Sequence, residues 1–400
     1  MGFSASGIRQ IGKRGKNMVY FDNAATSYPK PAIVLQGVKD AVTLYGGNPG
    51  RSGHDISLHT AEKVFEAREK LADFFHAEVE NVVFTLNCTH ALNMAIKGAL
   101  AKGGHVVTSC LEHNSVIRPL ETMKRRQVIT YSVAKVYEGA PEATIASFAE
   151  RLRPDTRAIV CTHASNVTGT ILPIKQLGQL CKKRGLLFIV DAAQSAGVLP
   201  IDMEECGINI LCCAGHKSLL GTTGTGLMIL RKAGRLRTIM EGGTGSVSNQ
   251  LTQPDFTPDR YETGTINTVG ALSLAAGMEF IALRGRETIY RHELALCRKA
   301  YEGLRMIKGV TLYTSAVEEG VHAPVLSFNV AGMTSMETVE QLNASGYALR
   351  GGLHCSPMAH KFLGTSEIGT ARFAPGVFSS ESEVDGFLFA VKKIVDSHVQ

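Results

Sequence analysis

The stretch GLLFIVDAAQSAGVLPIDMEECGINILCCAGHKSLLGTTGTGLM, residues 185–228, decides the fold of this chain. Its apolar run 186–190 is short and bounded by turn residues, which predicts a strand buried on both faces and ended by Asp191. A second apolar run, 208–213, predicts another strand that leads toward Lys217. Because open α/β sheets bind ligands at such strand ends, we expect Asp191 and Lys217 to converge on one crevice.

A lysine and an aspartate at such strand ends suit pyridoxal phosphate (PLP). The lysine binds the aldehyde of PLP as a Schiff base, and the carboxylate keeps the ring nitrogen protonated. The other interpretation is an aspartate that caps a strand end and a lysine on the surface. The spacing of the two residues does not decide between these interpretations.

Three motifs together resemble those of one enzyme family. They are DAAQ at 191–194, GHK at 215–217 and RGGLHC at 350–355. In this order they are similar to the cysteine desulfurases and selenocysteine lyases, which are PLP enzymes of fold type I with a class V aminotransferase-like fold. The similarity runs from about Tyr20 to the C-terminus. The resemblance implies PLP as cofactor and cysteine or selenocysteine as substrate.

The alternation of predicted strands and helices agrees with that fold class. Strands at 81–85, 104–108 and 157–162 alternate with helices such as 60–75 and 174–184. This order predicts an α/β fold, with a mostly parallel sheet covered by helices on both faces and a smaller C-terminal α/β domain. We predict a disordered extension at 1–17, an N-terminal segment at 18–30 that packs with the small domain, a large PLP-binding domain at 31–284 and a small domain at 285–400.

Composition and charge exclude several other classes. Of the 400 residues 44% are hydrophobic, yet no apolar run approaches the roughly 18 residues that cross a bilayer. Four of the six net positive charges lie in residues 1–17, so no basic face for nucleic acid is expected in the rest. The nine cysteines are odd in number, irregularly spaced and without a C-x-x-C pair, which favours a reducing cytoplasm, mostly buried thiols and no metal site.

Residues 87–90, Asn-Cys-Thr-His, open an Ala- and Leu-rich helix after a predicted strand. The first backbone N–H groups of a helix and its dipole bind phosphate readily. Thr89 is therefore predicted both as the N-cap of this helix and as a phosphate ligand. Its neighbour Cys88 is predicted to lie in the same cofactor site.

The resemblance implies a role for further residues. Matching family positions place His113 on the cofactor ring, where it can also move protons, and Asn166 against cofactor and substrate. Gln194 is expected at the ring hydroxyl and His216 at the phosphate. Thr265, in the E-x-G-T motif at 262–265, is expected to reach the phosphate of a neighbouring subunit. That implies a homodimer with shared active sites.

The residue that separates a desulfurase from an aminotransferase is Cys355. Thiols on loops near a cation or histidine form nucleophilic thiolates. In the family the matching cysteine attacks the substrate sulfur, keeps it as a persulfide and releases alanine. Arg372 matches the family arginine that binds the substrate carboxylate with its planar fork. The short segment from Cys355 to Arg372 resembles the short-loop subgroup, in which a separate acceptor protein takes the sulfur.

Three positions depart from the family pattern. Ala214 stands where a serine is common, which removes a hydroxyl that would bind phosphate and weakens cofactor binding by about 1.5–3 kcal/mol. His90 stands where glutamate is frequent. Ser356 replaces the usual alanine after the cysteine. Because Lys217 and the other predicted catalytic positions are kept, we expect a divergent but active member.

Other functions remain open at this point. A selenocysteine lyase uses the same constellation and does not require Cys355. An aminotransferase or epimerase would also not need that thiol, and a non-catalytic sulfur-carrier scaffold would bind a partner without turnover. A dinucleotide enzyme is disfavoured because no G-x-G-x-x-G lies in a first βα turn.

Overall fold

The computed structural model describes residues 18–50 and 53–398, so the extension predicted at 1–17 lies outside the described residues, as does Arg51. The strands are β1 Val19–Tyr20, β2 Val82–Thr85, β3 Gly104–Ser109, β4 Ile129–Ala134, β5 Thr156–Thr162, β6 Leu187–Asp191, β7 Ile210–Ala214, β8 Gly226–Leu230, β9 Val310–Leu312, β10 Leu326–Val330, β11 Tyr347–Ala348 and β12 Ala371–Phe373. The helices are α1 Ala32–Thr43, α2 Asp55–Phe75, α3 Cys88–Ala99, α4 Asn114–Arg125, α5 Pro141–Ala149, α6 Ile174–Arg184, α7 Thr268–Arg284, α8 Arg286–Arg305, α9 Ser335–Ala344, α10 Pro357–Leu363 and α11 Glu381–His398.

The main sheet has seven strands in the order β2-β8-β7-β6-β5-β3-β4. The pairs β7/β6, β6/β5, β5/β3 and β3/β4 are parallel, whereas β8 is antiparallel to both of its neighbours. Six strands therefore point the same way, and their carboxyl ends lie along one edge. The predicted fold class, a mostly parallel sheet with helices around it, is confirmed.

Alternate residues of β6 face different cores, as a strand buried on both faces requires. Phe188 and Val190 belong to one apolar cluster, which α6 and α7 help to form. Ile189 belongs to a second cluster, on the side covered by α3 and α4. Because burial of apolar area is the main driving force of folding, these two clusters hold the sheet rigidly between helices.

The C-terminal part contains a three-stranded antiparallel sheet, β12-β10-β9. The two-residue strand β11 does not join this sheet. It pairs in parallel with β1 near the N-terminus, with Val19 opposite Tyr347. Further along, Arg350 forms an isolated antiparallel bridge with Arg372 of β12.

Two helices of this part, α9 and α10, have signals that the sequence analysis did not use. Thr334 and Glu337 form a capping box at the start of α9. Pro357 occupies the first turn of α10, where its missing N–H is no loss. Across the described ranges, no helix combines the length and apolar character needed to cross a bilayer.

Candidate active site

The carboxyl ends of the parallel strands surround a cavity of about 210 Å³. Most of the predicted site residues line it, although they come from distant parts of the chain. They are Cys88, Thr89, His113, Asn166, Asp191, Gln194, His216, Lys217 and Arg372, together with Arg350 and His354. The structure therefore brings Asp191 and Lys217 into one crevice at the sheet edge.

Lys217 reaches the cavity from a tight turn after β7. The turn needs Gly215, because a Cβ there would lie 2.2 Å from the Thr225 hydroxyl oxygen. Burial lowers the pKa of Lys217, and the positive charge of Arg372 lowers it further, against the opposing effect of Asp191. A lowered pKa favours the neutral amine, which is the nucleophilic form.

Asp191 is the last residue of β6 and is buried. Its Oδ1 accepts hydrogen bonds from the backbone N–H of Ala193 at 2.9 Å and from the Cys88 thiol at 3.4 Å. Burial holds the pKa of Cys88 well above its usual range, so the thiol keeps its proton and can donate it. Both bonds go to Oδ1, and within residues 18–50 and 53–398 no partner takes Oδ2. That oxygen can accept a further hydrogen bond.

His113 caps α4 and is held in one tautomer. Its Nδ1 accepts the backbone N–H of Ser115 at 3.1 Å, so in the neutral ring the hydrogen resides on Nε2. Burial lowers the pKa of His113 to about 4. The imidazole is therefore neutral at pH 7.

The prediction that Thr89 caps α3 is wrong. Asn87 is the N-cap, and its side-chain oxygen accepts the backbone N–H of His90 at 2.8 Å. The reason is local, since an asparagine two residues earlier offers a shorter reach to the free N–H groups of the first turn. The Thr89 hydroxyl instead bonds the Ser115 hydroxyl at 2.7 Å.

The cavity wall near this helix start has the donors that a phosphate needs. The Thr89 and Ser115 hydroxyls lie beside the N-terminus of α3. The Nδ1 atom of His216 is buried and has no hydrogen-bond partner in the described part of the chain. Burial lowers the pKa of His216 to about 4, so its neutral ring can supply one N–H to an anion. His216 lines the cavity, and an unpaired buried nitrogen in such a residue is a group that a ligand could satisfy.

Two further site residues contact the N-terminal segment. The side-chain amide of Gln194 donates to the carbonyl of Ala24 at 3.0 Å, which leaves its own oxygen for a ligand. Arg372 is 1% exposed, and its guanidinium donates to Asp22 at 2.8 Å and to the backbone oxygen of Asn166 at 3.1 Å. Its Nε has no hydrogen-bond partner among the described residues. One end of the fork is thus paired with a carboxylate before any substrate arrives.

Cys355 lies at the rim of the cavity. It is exposed, and its sulfur is 3.8 Å from the guanidinium of Arg350, which lines the cavity. His354 and Cys355 have φ of 48° and 58°, the left-handed conformation that non-glycine residues adopt at a cost of about 1–3 kcal/mol. Such strain persists only where the surroundings hold the backbone in place.

Asn166 is one residue that holds the backbone around Cys355. Its amide nitrogen donates to the carbonyl of His354 at 2.7 Å, and its oxygen accepts the Ser356 hydroxyl at 2.6 Å. Both polar atoms of Asn166 are therefore engaged with the neighbours of Cys355. Its predicted contacts with cofactor and substrate stay a prediction. The departure at Ser356 was the signal for this bond, but nothing in the sequence pointed to its partner.

Thr265 does not line the cavity that contains Lys217. It is exposed and borders a separate cavity of about 1250 Å³, formed by residues 241–266 and their neighbours. This placement agrees with a residue that serves another subunit, and that role stays a prediction. The buried ion pair of Arg68 and Glu262, at 2.6 Å, holds the start of this motif in place. Sequence analysis missed Arg68 because its helix looked like any amphipathic helix.

The nine cysteines divide sharply by exposure. All are free thiols, and eight of them are buried. Cys355 is the exposed one, so the expectation of mostly buried thiols is met. The predicted nucleophile is therefore also the thiol that a second molecule can reach.

A six-strand parallel array with a lysine and an aspartate at its carboxyl edge defines a transferase-like α/β enzyme of fold type I. The Aminotransferase class-V family profile matches residues 19–387. A probable cysteine desulfurase of Pyrococcus abyssi is 31% identical over 396 residues, covering 96% of this chain and 95% of that protein. A probable cysteine desulfurase of Methanothermobacter thermautotrophicus is 30% identical, with 92% of each chain covered.

Solved structures agree with these relatives. The apo structure of a cysteine desulfurase from Thermococcus onnurineus is similar with a TM-score of 0.87 at 30% identity, covering 95% of each chain. The chain belongs to the class-V aminotransferase family, as a homologue of its cysteine desulfurases. The resemblance noted in the sequence is confirmed, and the family uses PLP.

Proposed function

We propose that the chain is a PLP-dependent cysteine desulfurase that converts L-cysteine to L-alanine and takes the sulfur onto Cys355 as a persulfide. One observation carries this proposal. A cavity lined by Lys217, Asp191 and Arg372 has the chain's exposed, strained cysteine at its rim. An aminotransferase has no use for a nucleophilic thiol at that place.

The residues around the cavity fit PLP. Lys217 would bond the aldehyde, and Oδ2 of Asp191 would hold the ring nitrogen. The unpaired Nδ1 of His216 and the Thr89 hydroxyl would bind the phosphate, beside the N-terminus of α3. Gln194 would bond the ring hydroxyl and His113 would cover the ring, while Cys88 contributes through Asp191. When bound, PLP would serve as an electron sink that makes the substrate α-hydrogen acidic.

Lys217 is the proposed base. Its amine lies in the cavity, and burial lowers its pKa, which favours the neutral form that can accept a proton. It can then take the α-proton and return a proton later in the cycle. His113, with its hydrogen on Nε2, would assist by donating a hydrogen bond from that atom.

Cys355 is the proposed nucleophile. Its thiolate attacks the substrate sulfur and forms an S–S bond, while the substrate Cβ–S bond breaks. The electron pair of that bond stays with Cβ, which takes a proton and becomes the methyl group of alanine. Arg350, 3.8 Å from the sulfur, would stabilise the thiolate electrostatically.

Arg372 would bind the substrate carboxylate. In the structure its guanidinium is paired with Asp22 and is almost fully buried. A guanidinium has five N–H donors, so it can keep this pair and still present others to a carboxylate. Asp22 then holds the fork in a constant orientation, and Asn166 would complete the substrate contacts.

The proposal extends to two kinds of protein partner. We propose a homodimer in which Thr265 of each protomer completes the phosphate site of the other, since Thr265 is exposed and borders a cavity other than the one that contains Lys217. We also propose a separate sulfur-acceptor protein, because an exposed persulfide on Cys355 can be attacked by an external thiol.

The test is a single turnover of the PLP-loaded enzyme with one equivalent of L-cysteine, followed by mass analysis of the peptide that contains Cys355. We expect a gain of one sulfur atom on this peptide and stoichiometric alanine. Cys355→Ala should abolish sulfur retention, whereas the matched variant Cys181→Ala, at a buried thiol, should retain it.

Three other results would contradict the proposal. Alanine and free sulfide with an unmodified Cys355 peptide would favour a selenocysteine lyase. A keto acid or the D-isomer would indicate an aminotransferase or epimerase. Failure to develop a visible absorption band with PLP would indicate a non-catalytic scaffold.

A further inference from the structure

The backbone oxygen of His216 is bonded by more donors than a carbonyl needs. It accepts the backbone N–H of Ser27 at 3.0 Å, the hydroxyl of Thr26 at 3.1 Å and the ammonium of Lys30 at 2.9 Å. A carbonyl oxygen has two lone pairs, so three donors at these distances exceed its usual capacity. All three come from a segment that lies 186 to 190 residues earlier in the chain.

Lys30 also acts on the next peptide group, through Ser27. Its ammonium donates to the Ser27 hydroxyl oxygen at 2.7 Å. The hydroxyl hydrogen then bonds the backbone oxygen of Lys217 at 2.9 Å, the nearer of two carbonyl oxygens, since that of His216 lies at 3.2 Å. The two carbonyls that are bonded in this way lie on either side of the Lys217 Cα. Lys30 therefore restrains the backbone from which the lysine side chain starts.

The charge of Lys30 is directed at these oxygens. The residue is half-buried, and in the part of the chain that the structure describes it forms no ion pair with a carboxylate. Burial lowers the pKa of Lys30 to about 8, so the ammonium is still the major form at pH 7. Hydrogen bonds from a charged donor are roughly twice as strong as neutral ones. The half-buried ammonium of Lys30 therefore bonds the loop that contains Lys217, and packing alone does not explain this contact.

We propose that Lys30 is a positioning residue for Lys217, which it holds through the backbone carbonyls of residues 216 and 217. The inference rests on the proposed function, because it takes Lys217 as the residue that bonds PLP. A lysine side chain has several rotatable bonds, so its amine returns to the same place only if the backbone does not move. Displacements of about 1 Å can cost on the order of a hundredfold in rate.

The first readout is the capture of PLP by the apoenzyme. Its rate is followed by the visible absorption band, and the product is identified by borohydride reduction and mass analysis of the Lys217 peptide. We expect Lys30→Met to slow capture about tenfold and Lys30→Arg to stay within about threefold of the unmodified protein. Lys70→Met is the matched control, because Lys70 lies on α2 and forms an exposed ion pair with Glu279. This variant should capture PLP at the normal rate.

The second readout separates positioning from substrate binding. With L-cysteine we expect kcat of Lys30→Met to fall about tenfold while KM stays within about twofold. Lys30→Met capturing PLP at the normal rate would overturn the inference, as would Lys30→Arg being as slow as Lys30→Met with both proteins folded. If Lys30→Met does not fold, Ser27→Ala tests the same link, and an unchanged capture rate in it would equally overturn the inference.

Failure of the proposed function gives a different result. If the unmodified protein captures PLP but makes no alanine from cysteine, desulfuration is contradicted. The capture rates then still decide whether Lys30 positions Lys217.

Discussion

The Lys217 loop and the Cys355 turn hold the two proposed reactive groups in similar ways but expose them very differently. Each backbone is bonded by side chains from distant parts of the chain, Lys217 by the segment 26–30 and the Cys355 turn by Asn166. Lys217 opens into the cavity, where burial lowers its pKa. Cys355 lies in solvent.

This difference agrees with the chemistry that we propose for each group. A base works best where water is excluded and its proton affinity is adjusted by burial. A sulfur that is passed on must be accessible to the acceptor. Rigid attachment therefore serves both sites, whereas burial serves proton transfer alone. The contrast can be tested by variants that should affect one region and leave the other unchanged.

The largest expected effect is at Lys217. Lys217→Ala should abolish covalent PLP capture and reduce alanine formation at least about a thousandfold, because it removes both the cofactor bond and the base. Cys355→Ala should capture PLP at the normal rate. Absorption spectra and borohydride trapping measure both. Loss of capture in Cys355→Ala would show that the two regions are not separable.

The next effect concerns the departure at Ala214, which is buried and lines the cavity. Ala214→Ser should add a hydroxyl beside the phosphate site and strengthen PLP binding by about 1.5–3 kcal/mol, roughly ten- to a hundredfold in Kd. Equilibrium titration of the apoenzyme with PLP measures this. Persulfide formation per bound cofactor should not change. A higher Kd for PLP would mean that the cavity has no room for the hydroxyl.

The smallest effect is expected at the Cys355 turn. Ser356→Ala removes the 2.6 Å bond to Asn166, and it should lower the free energy of unfolding by about 1 kcal/mol. Persulfide formation should slow about fivefold because the strained turn is less firmly held. Single-turnover reactions quenched at different times measure the rate of persulfide formation, and the rate of PLP capture is the internal control. Slower capture in this variant would contradict the separation of the two regions.

Much of the fold and part of the site could be predicted from local patterns. The apolar run before Asp191 and the run before Lys217 predicted strands, and parallel strands bring their carboxyl ends to one edge. The resemblance then supplied the family, which the comparisons confirm.

Contacts between distant segments could not be predicted in the same way. Lys30 received no role in the sequence analysis, since its bond to His216 spans 186 residues and leaves no local pattern. The bond between Ser356 and Asn166 spans 190 residues. The wrong N-cap has a local cause instead, since asparagine and threonine both suit a cap and α3 begins one residue after Asn87.

Because eight cysteines are buried and one is exposed, the number of reactive thiols reports whether the protein is folded. In the native protein a thiol-specific alkylating reagent should react with Cys355 alone, since the other eight thiols are buried. On unfolding, all nine become reactive. The intact mass after alkylation therefore distinguishes three species in a single spectrum. They are the folded protein with a free Cys355 thiol, the folded protein with a Cys355 persulfide, and the unfolded protein.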